Sequence, residues 1–302
     1  MYILSNRLKI FSISLIIIGS LGWFYSYSTS HLTLDQVKEL LAEESHHGSH
    51  SDTAYSMENS NEKHHNADIH HEGDHNGHSD DTHSHEDEHA EHVLHQIHNR
   101  PYAALYVAAF FFMMISLGVL AFYAIQYASQ AGWSPVLFRV MEAITYYLLP
   151  GALIVLLIAY VGDKHIFIWM DPEVVAHDEI IQGKEGWLNK TSFLIRALIY
   201  IGGWSLYRYF SRKFSIAQDH ANDNKNFKRN FQISAGFLVF FMYTESMMSW
   251  DWIMSVDPHW FSTLFGWYVF ASMAVSGITC LLYTSDAADE GLGVDLGGRR
   301  II

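Results

Sequence analysis

The sequence predicts an all-α integral membrane protein with six transmembrane helices, and three observations carry that expectation. Apolar stretches of near-spanning length recur six times in 302 residues, at 8–27, 102–127, 140–161, 193–210, 231–250 and 260–279. A helix rises about 1.5 Å per residue, so roughly twenty apolar residues cross the hydrocarbon core. Positive charge gathers before the first stretch (Arg7, Lys9) and between the fourth and fifth (Arg208, Arg212, Lys213, Lys225, Lys228, Arg229). Both places belong on the cytoplasmic face of a bacterial inner membrane, which puts the N-terminus inside and residues 31–98 and 162–192 outside. Tryptophans also gather where stretches end, as in "SWDWIMSVDPHW" at 249–260. There a ring can be buried while its polar edge stays wet.

Residues 1–30 form the N-terminal membrane anchor. The apolar run is long and no small-x-small cleavage site follows it, which favours a retained helix over a removed leader. Residues 31–98 hold sixteen acidic residues against two lysines and so account for the whole net charge of −14. The acidity is local, and no basic run suited to nucleic acid occurs. Leu34, Val37 and Leu41 predict a short amphipathic helix, after which fifteen histidines between 46 and 98 interleave with Asp, Glu, Asn and Ser. This composition predicts a disordered, extracytoplasmic His-rich loop. Its weak metal-ligand candidates are His70, His71, His75, His78, His83 and His85, able to take Zn, Cu or Ni transiently. A solvated insertion with no specific task explains them as well.

Residues 99–279 form the helical bundle. From Cys280, "CLLYTSDAADEGLGVDLGGRRII" departs from the apolar helix before it and reads like translated sequencing-library adaptor. Residues 280–302 are therefore expected to be foreign, with the natural sequence continuing past Thr279, and they are assigned no function. Cys280 is the only cysteine, which leaves no disulfide framework, iron–sulfur ligation or covalent haem attachment in the chain.

A charge inside a bilayer needs a partner or a task. Glu142 lies three residues from Arg139 and four from Tyr146, and reads as an interfacial pair or as part of a proton relay. Pro150 and Gly151 should kink its helix and free a carbonyl. Glu245, five residues before Trp250, is expected about 7 to 8 Å inside the outer boundary, with Arg196 as its candidate counter-charge. It too reads as a structural pair or as a proton-carrying acid. Asp171–Pro172 and Asp257–Pro258 have the form of helix starts, aspartate capping and proline in the first turn. Asp251 and His259 are not explained by capping and suit proton exchange or partner docking, alongside Trp250, Trp252, Asp257 and Trp260.

The Trp-Asp-Trp and Asp-Pro-His-Trp clusters, with "GWSPVLFRVMEAI" and "HIFIWMDPEVV", resemble a known family over roughly residues 100–279. It is the second large membrane subunit of alternative complex III, the bacterial quinol:cytochrome c oxidoreductase, within the polysulfide-reductase-like family of membrane proteins. The resemblance implies antiparallel four-helix bundles flanked by peripheral helices. It implies a subunit with no covalently bound cofactor that supports quinol oxidation, conducts protons, and docks haem c and iron–sulfur subunits and a related membrane subunit amid membrane lipid. The rival expectation is a divalent-cation transporter of the zinc type with a metal-sensing His-rich loop. That reading needs ligands at mid-membrane, and the six predicted helices contain no buried histidine.

Overall fold

A computed structural model describes residues 6–47 and 80–293, with side chains described over a narrower part of these ranges. The described residues are helical, with 3-10 turns and loops and no strand among them. They divide into two compact units at Pro101/Tyr102.

In the first unit, α1 (Asn6–Ser30) leaves almost its whole surface uncovered, including Ile10, Ile16, Leu21 and Phe24. Its tryptophan is an exception: Trp23 Nε1 donates to the Pro101 carbonyl at 3.1 Å. The amphipathic helix predicted around Leu34, Val37 and Leu41 is α2 (Leu34–His47), with Val37 buried. The segment expected to stay unstructured through residue 98 is helical from Asp80, because α3 runs from Asp80 to Ala128, and residues 48–79 lie outside the described residues. Once a helix is nucleated each further residue adds a hydrogen bond, and "EDEHAEHVLHQ" is rich in good helix formers. The apolar part of α3 thus extends backwards into the acidic segment.

The second unit holds most of the core. After α3 come a 3-10 turn at Ser134–Leu137, α4 (Phe138–Ile144), a 3-10 turn at Thr145–Tyr147 and α5 (Leu148–Val161). The interruption expected from Pro150 is this second 3-10 turn, one turn ahead of the proline, where Ser116 Oγ donates to the Ile144 carbonyl at 3.2 Å. The 162–189 connection carries three short helices, α6 (Asp163–Ile166), α7 (Pro172–His177) and α8 (Glu179–Gly183). As predicted, Asp171 caps α7 through the Glu173 N–H with Pro172 in its first turn. Two long helices follow, α9 (Lys190–Asp219) and α10 (Lys225–Trp252), and then α11 (Phe265–Gly293).

The predicted helix start at Asp257–Pro258 is not formed. Asp257 Oδ1 accepts the His259 N–H at 3.1 Å within a turn, Lys184 Nζ donates to the Pro258 carbonyl at 2.5 Å, and α11 begins only at Phe265. An Asp–Pro step suits a turn as well as a helix start, and here Lys184, from the end of α8, takes the Pro258 carbonyl.

Among the described residues, four spans are long and apolar enough to cross a bilayer: Lys9–Ser30, Val93–Ala128, Ser134–Val161 and Phe265–Thr284. The helices α9 and α10 have 30 and 28 residues, about 45 and 42 Å at the usual rise, but carry more charge. They pack antiparallel along a polar seam: Ser211 bonds Asn230 at 2.6 Å, Tyr207 meets Ser234 at 2.7 Å, and Trp204 donates to Thr244 at 3.0 Å. Phe237 and Phe241 fill the interval between the Ser234 and Thr244 rungs and are buried. Such hydrogen bonds hold helices together where water cannot compete for the groups. Where α3 meets α11, Gly118 and Gly277 let the backbones approach. A Cβ on Gly118 would come within 2.5 Å of the Met273 carbonyl, so a larger residue there forces the helices apart.

Candidate functional site

Three clusters on α9, α10 and their neighbours gather the chemically able residues. The first lies at the C-terminal end of α10 and centres on Asp251, which is 1% exposed. Arg196 grips it with two nitrogens, Nε to Oδ2 at 2.7 Å and Nη2 to Oδ1 at 2.9 Å. Trp187 Nε1 donates to Oδ1 at 2.8 Å and the Tyr200 hydroxyl to Oδ2 at 3.1 Å. The Arg196 guanidinium also stacks 4.1 Å from the Trp187 ring centroid, a cation–π contact. Bidentate arginine–carboxylate geometry with the remaining lone pairs filled is the condition under which a buried ion pair holds a fold together. Arg196 is therefore the partner of Asp251, not of Glu245 as expected.

Trp252 follows directly and is 0% exposed, with its ring against Phe110, Tyr200 and Trp204. Tyr106 Oη donates to its carbonyl at 2.8 Å. Asp251 and Trp252, expected on a partner-facing surface, are thus core residues: their side chains turn inward from the last turn of α10. The surface at this end belongs instead to Trp250, Asp257, His259 and Trp260.

Trp250, His259 and Trp260 border a cavity of about 780 Å³ between α8 and the end of α10, lined also by Trp187, Met247 and Met254. The Trp250 indole N–H has no acceptor among the described residues. His259 Nε2 lies 2.6 Å from Asp178 Oδ2, while the other Asp178 oxygen caps α8 through the Ile180 and Ile181 N–H groups. Hydrogen bonding from Ile181, with His259 and Ile180 adding to it, holds the Asp178 carboxyl below the usual carboxylate range. Asp178 carried no signal in the sequence beyond its place as a cap two residues before an apolar pair. An aromatic slot with an imidazole on its wall, itself paired to a carboxylate, can bind a flat, amphipathic ring and accept a proton from it.

The second cluster is Glu245 by itself. It is 2% exposed, its Oε1 has no hydrogen-bond partner among the described residues, and its Oε2 lies 3.5 Å from Ser246 Oγ. Ser246 in turn packs against Gly266 of α11. A carboxylate so enclosed and so poorly satisfied is costly as an anion.

The third cluster is at the opposite end of α9. Glu142 accepts from Arg139 Nη1 at 2.6 Å, as predicted, and from the Tyr123 hydroxyl at 3.0 Å. Arg139 also binds Asp219. The tyrosine on Glu142 is therefore Tyr123 of α3. Tyr146 is 66% exposed, and the Arg208 guanidinium lies 5.0 Å from its ring centroid. The 3-10 turn at Thr145–Tyr147 advances each residue further round the axis than an α-helix does, which carries Tyr146 off the face of Glu142.

Of the metal candidates, His70, His71, His75 and His78 lie outside the described residues, and the side chains of His83 and His85, on α3, do too. Among the described residues, no three His, Cys, Asp or Glu side chains gather as a metal site. No family model matches the chain, and no curated protein matches it.

Proposed function

We propose that this chain is a membrane subunit of a respiratory quinol:cytochrome c oxidoreductase of the alternative complex III type. In this reading α9 and α10 also cross the bilayer, giving six spans, with the N-terminus and the α9–α10 link in the cytoplasm of a bacterial inner membrane. The His-rich segment, the 162–189 connection and the 253–264 turn face outward.

The observation that carries the proposal is the aromatic cavity at the end of α10, braced by the Arg196–Asp251 pair and bordered by His259, whose imidazole pairs with Asp178. A quinol ring fits its chemistry: flat and apolar, with hydroxyls that release protons. In oxidation the quinol gives two electrons to haem and iron–sulfur centres of partner subunits and two protons to acceptors at this face. The His259–Asp178 pair is placed to take one. Trp260 and His259 border the contact surface for those partners. Glu245, two residues from the cavity-lining Met247 on the same helix, is the candidate for moving protons further, and Glu142 with Tyr123 and Arg139 is its counterpart at the far end. The resemblance of residues 100–279 to the family supports the same assignment.

Purification from the native membrane tests it. Haem- and iron–sulfur-containing subunits are expected to accompany the chain, and quinol:cytochrome c activity with them. Isolation of the chain alone, without haem, under conditions that preserve other respiratory complexes contradicts the proposal.

A further inference from the structure

We infer that the cavity at the end of α10 binds its phenolic ring as the anion, with Lys184 holding the ionised ring oxygen and His259 Nδ1 holding the proton it loses. The inference rests on the quinol reading of that cavity and adds the ionisation state in which the ring is held. Lys184 and Pro258 both line the cavity, and Lys184 Nζ donates to the Pro258 carbonyl at 2.5 Å, so this contact is part of the cavity wall. An ammonium has three N–H donors, and a single neutral carbonyl uses one of them. The lysines nearest in sequence are both paired, Lys164 with Asp171 at 3.8 Å and Lys190 with Asp163 at 2.5 Å. Among the described residues Lys184 forms no such pair with a carboxylate. It is half-buried, beside lining residues as apolar as Leu188, Met247 and Met254. Against such a wall a cation gains more from an anion than it does in open water.

The residue after Pro258 supplies the means to make that anion. His259 Nε2 lies 2.6 Å from Asp178 Oδ2, and its Nδ1 lies 3.7 Å from Asp257 Oδ1. The shorter contact places the hydrogen of the neutral imidazole on Nε2, donated to Asp178, and leaves the Nδ1 lone pair to accept. A ring hydroxyl entering beside Pro258 and His259 breaks its O–H bond, the proton forms an N–H bond at Nδ1, and the electron pair stays on the ring oxygen. The imidazolium so formed is flanked by the Asp178 and Asp257 carboxylates, and the oxygen has the Lys184 ammonium for its counter-charge. Other charged groups nearby are Glu179 and Glu185, both exposed, and the Arg196–Asp251 pair behind Trp187, whose charges satisfy each other. A phenolate gives up an electron more readily than a neutral phenol, so base and cation together prepare the ring for oxidation.

The test titrates the purified full-length chain in detergent with para-nitrophenol, whose anion absorbs visible light and whose neutral form does not. Its methyl ether, para-nitroanisole, has no proton to lose and serves as the control. Binding of both is read from quenching of tryptophan fluorescence, since Trp187, Trp250 and Trp260 line the cavity. Below the pH at which the free phenol ionises, the bound phenol is expected to show an anion-to-neutral ratio at least about tenfold above that in protein-free micelles, the usual effect of a cation close by. Lys184→Gln is expected to lose this excess and Lys184→Arg to keep it, while para-nitroanisole binds wild type and both variants alike because the cavity is intact. His259→Gln is expected to lower the excess as well, because the imidazolium is a second positive charge beside the oxygen. Binding of both compounds with no excess of anion in wild type overturns this inference and leaves the quinol reading standing. So does an excess that survives Lys184→Gln or His259→Gln, or one that Lys184→Arg fails to keep. Absence of binding of either compound removes the cavity as a ring site and overturns both.

Discussion

Asp251 and Glu245 stand six residues apart on α10, both inside the protein, and are treated in opposite ways. Asp251 receives four donors from three side chains, two of them from one arginine. Among the described residues, Glu245 has one weak neighbour and an oxygen with none. Burial alone therefore does not distinguish a structural carboxylate from a reactive one. Satisfaction does: a carboxylate whose lone pairs are all filled fixes geometry, whereas one left short holds nothing in place and needs a partner or a task.

The comparison sets the order of expected effects. Asp251→Ala is expected to be the most damaging change, because it leaves Arg196 enclosed and uncompensated; a loss of about 3–5 kcal/mol is expected, read as a fall in thermal midpoint or loss of folded protein in detergent. Replacing both partners, Arg196→Met with Asp251→Leu, is expected to recover much of that loss, since the penalty lies in the orphaned charge rather than in the missing attraction. Glu142→Gln comes next. It keeps an acceptor for Tyr123 but weakens the bond from Arg139, at about 1–2 kcal/mol by the same thermal assay. Glu245→Gln is expected to change stability by less than about 1 kcal/mol in either direction, because almost no partner is lost. A loss as large as that of Asp251→Ala erases the contrast between the two acids.

The smallest effect concerns Asp178. Its carboxyl titrates below the ordinary value when folded, so its hold on α8 and His259 is complete above the unfolded carboxylate range, and it is lost as pH falls through the lowered folded value. Tryptophan fluorescence from the cavity is expected to show a transition below about pH 4 that is absent in Asp178→Asn.

How far the sequence foretold this arrangement depended on the range of each interaction. Local features were legible: the α2 stripe of Leu34, Val37 and Leu41, the Asp171–Pro172 cap, and the Arg139–Glu142 pair at a spacing of three. The Arg196–Asp251 pair spans 55 positions, and nothing in local spacing ranks Asp251 above Glu245 as the partner of Arg196. Tyr123 for Glu142 was hidden for a related reason. The i, i+4 rule favours Tyr146 only while the helix stays α, and a 3-10 turn intervenes. Trp252 shows the limit of composition: tryptophans next to aspartates look interfacial, yet the direction in which the last turn of α10 points its side chains decides which one is core. The helical stretch 80–98 shows a different limit, since cooperativity with the apolar part of α3 outweighs a composition that by itself predicts no fold.

The most direct test of the central claim is the proton yield per quinol oxidised by the intact complex in sealed vesicles, compared between wild type and Glu245→Gln. Lowered turnover or proton yield in an assembled complex of unchanged thermal stability is the expected result. Unchanged turnover together with unchanged yield contradicts the assignment of Glu245 as the acid that carries protons.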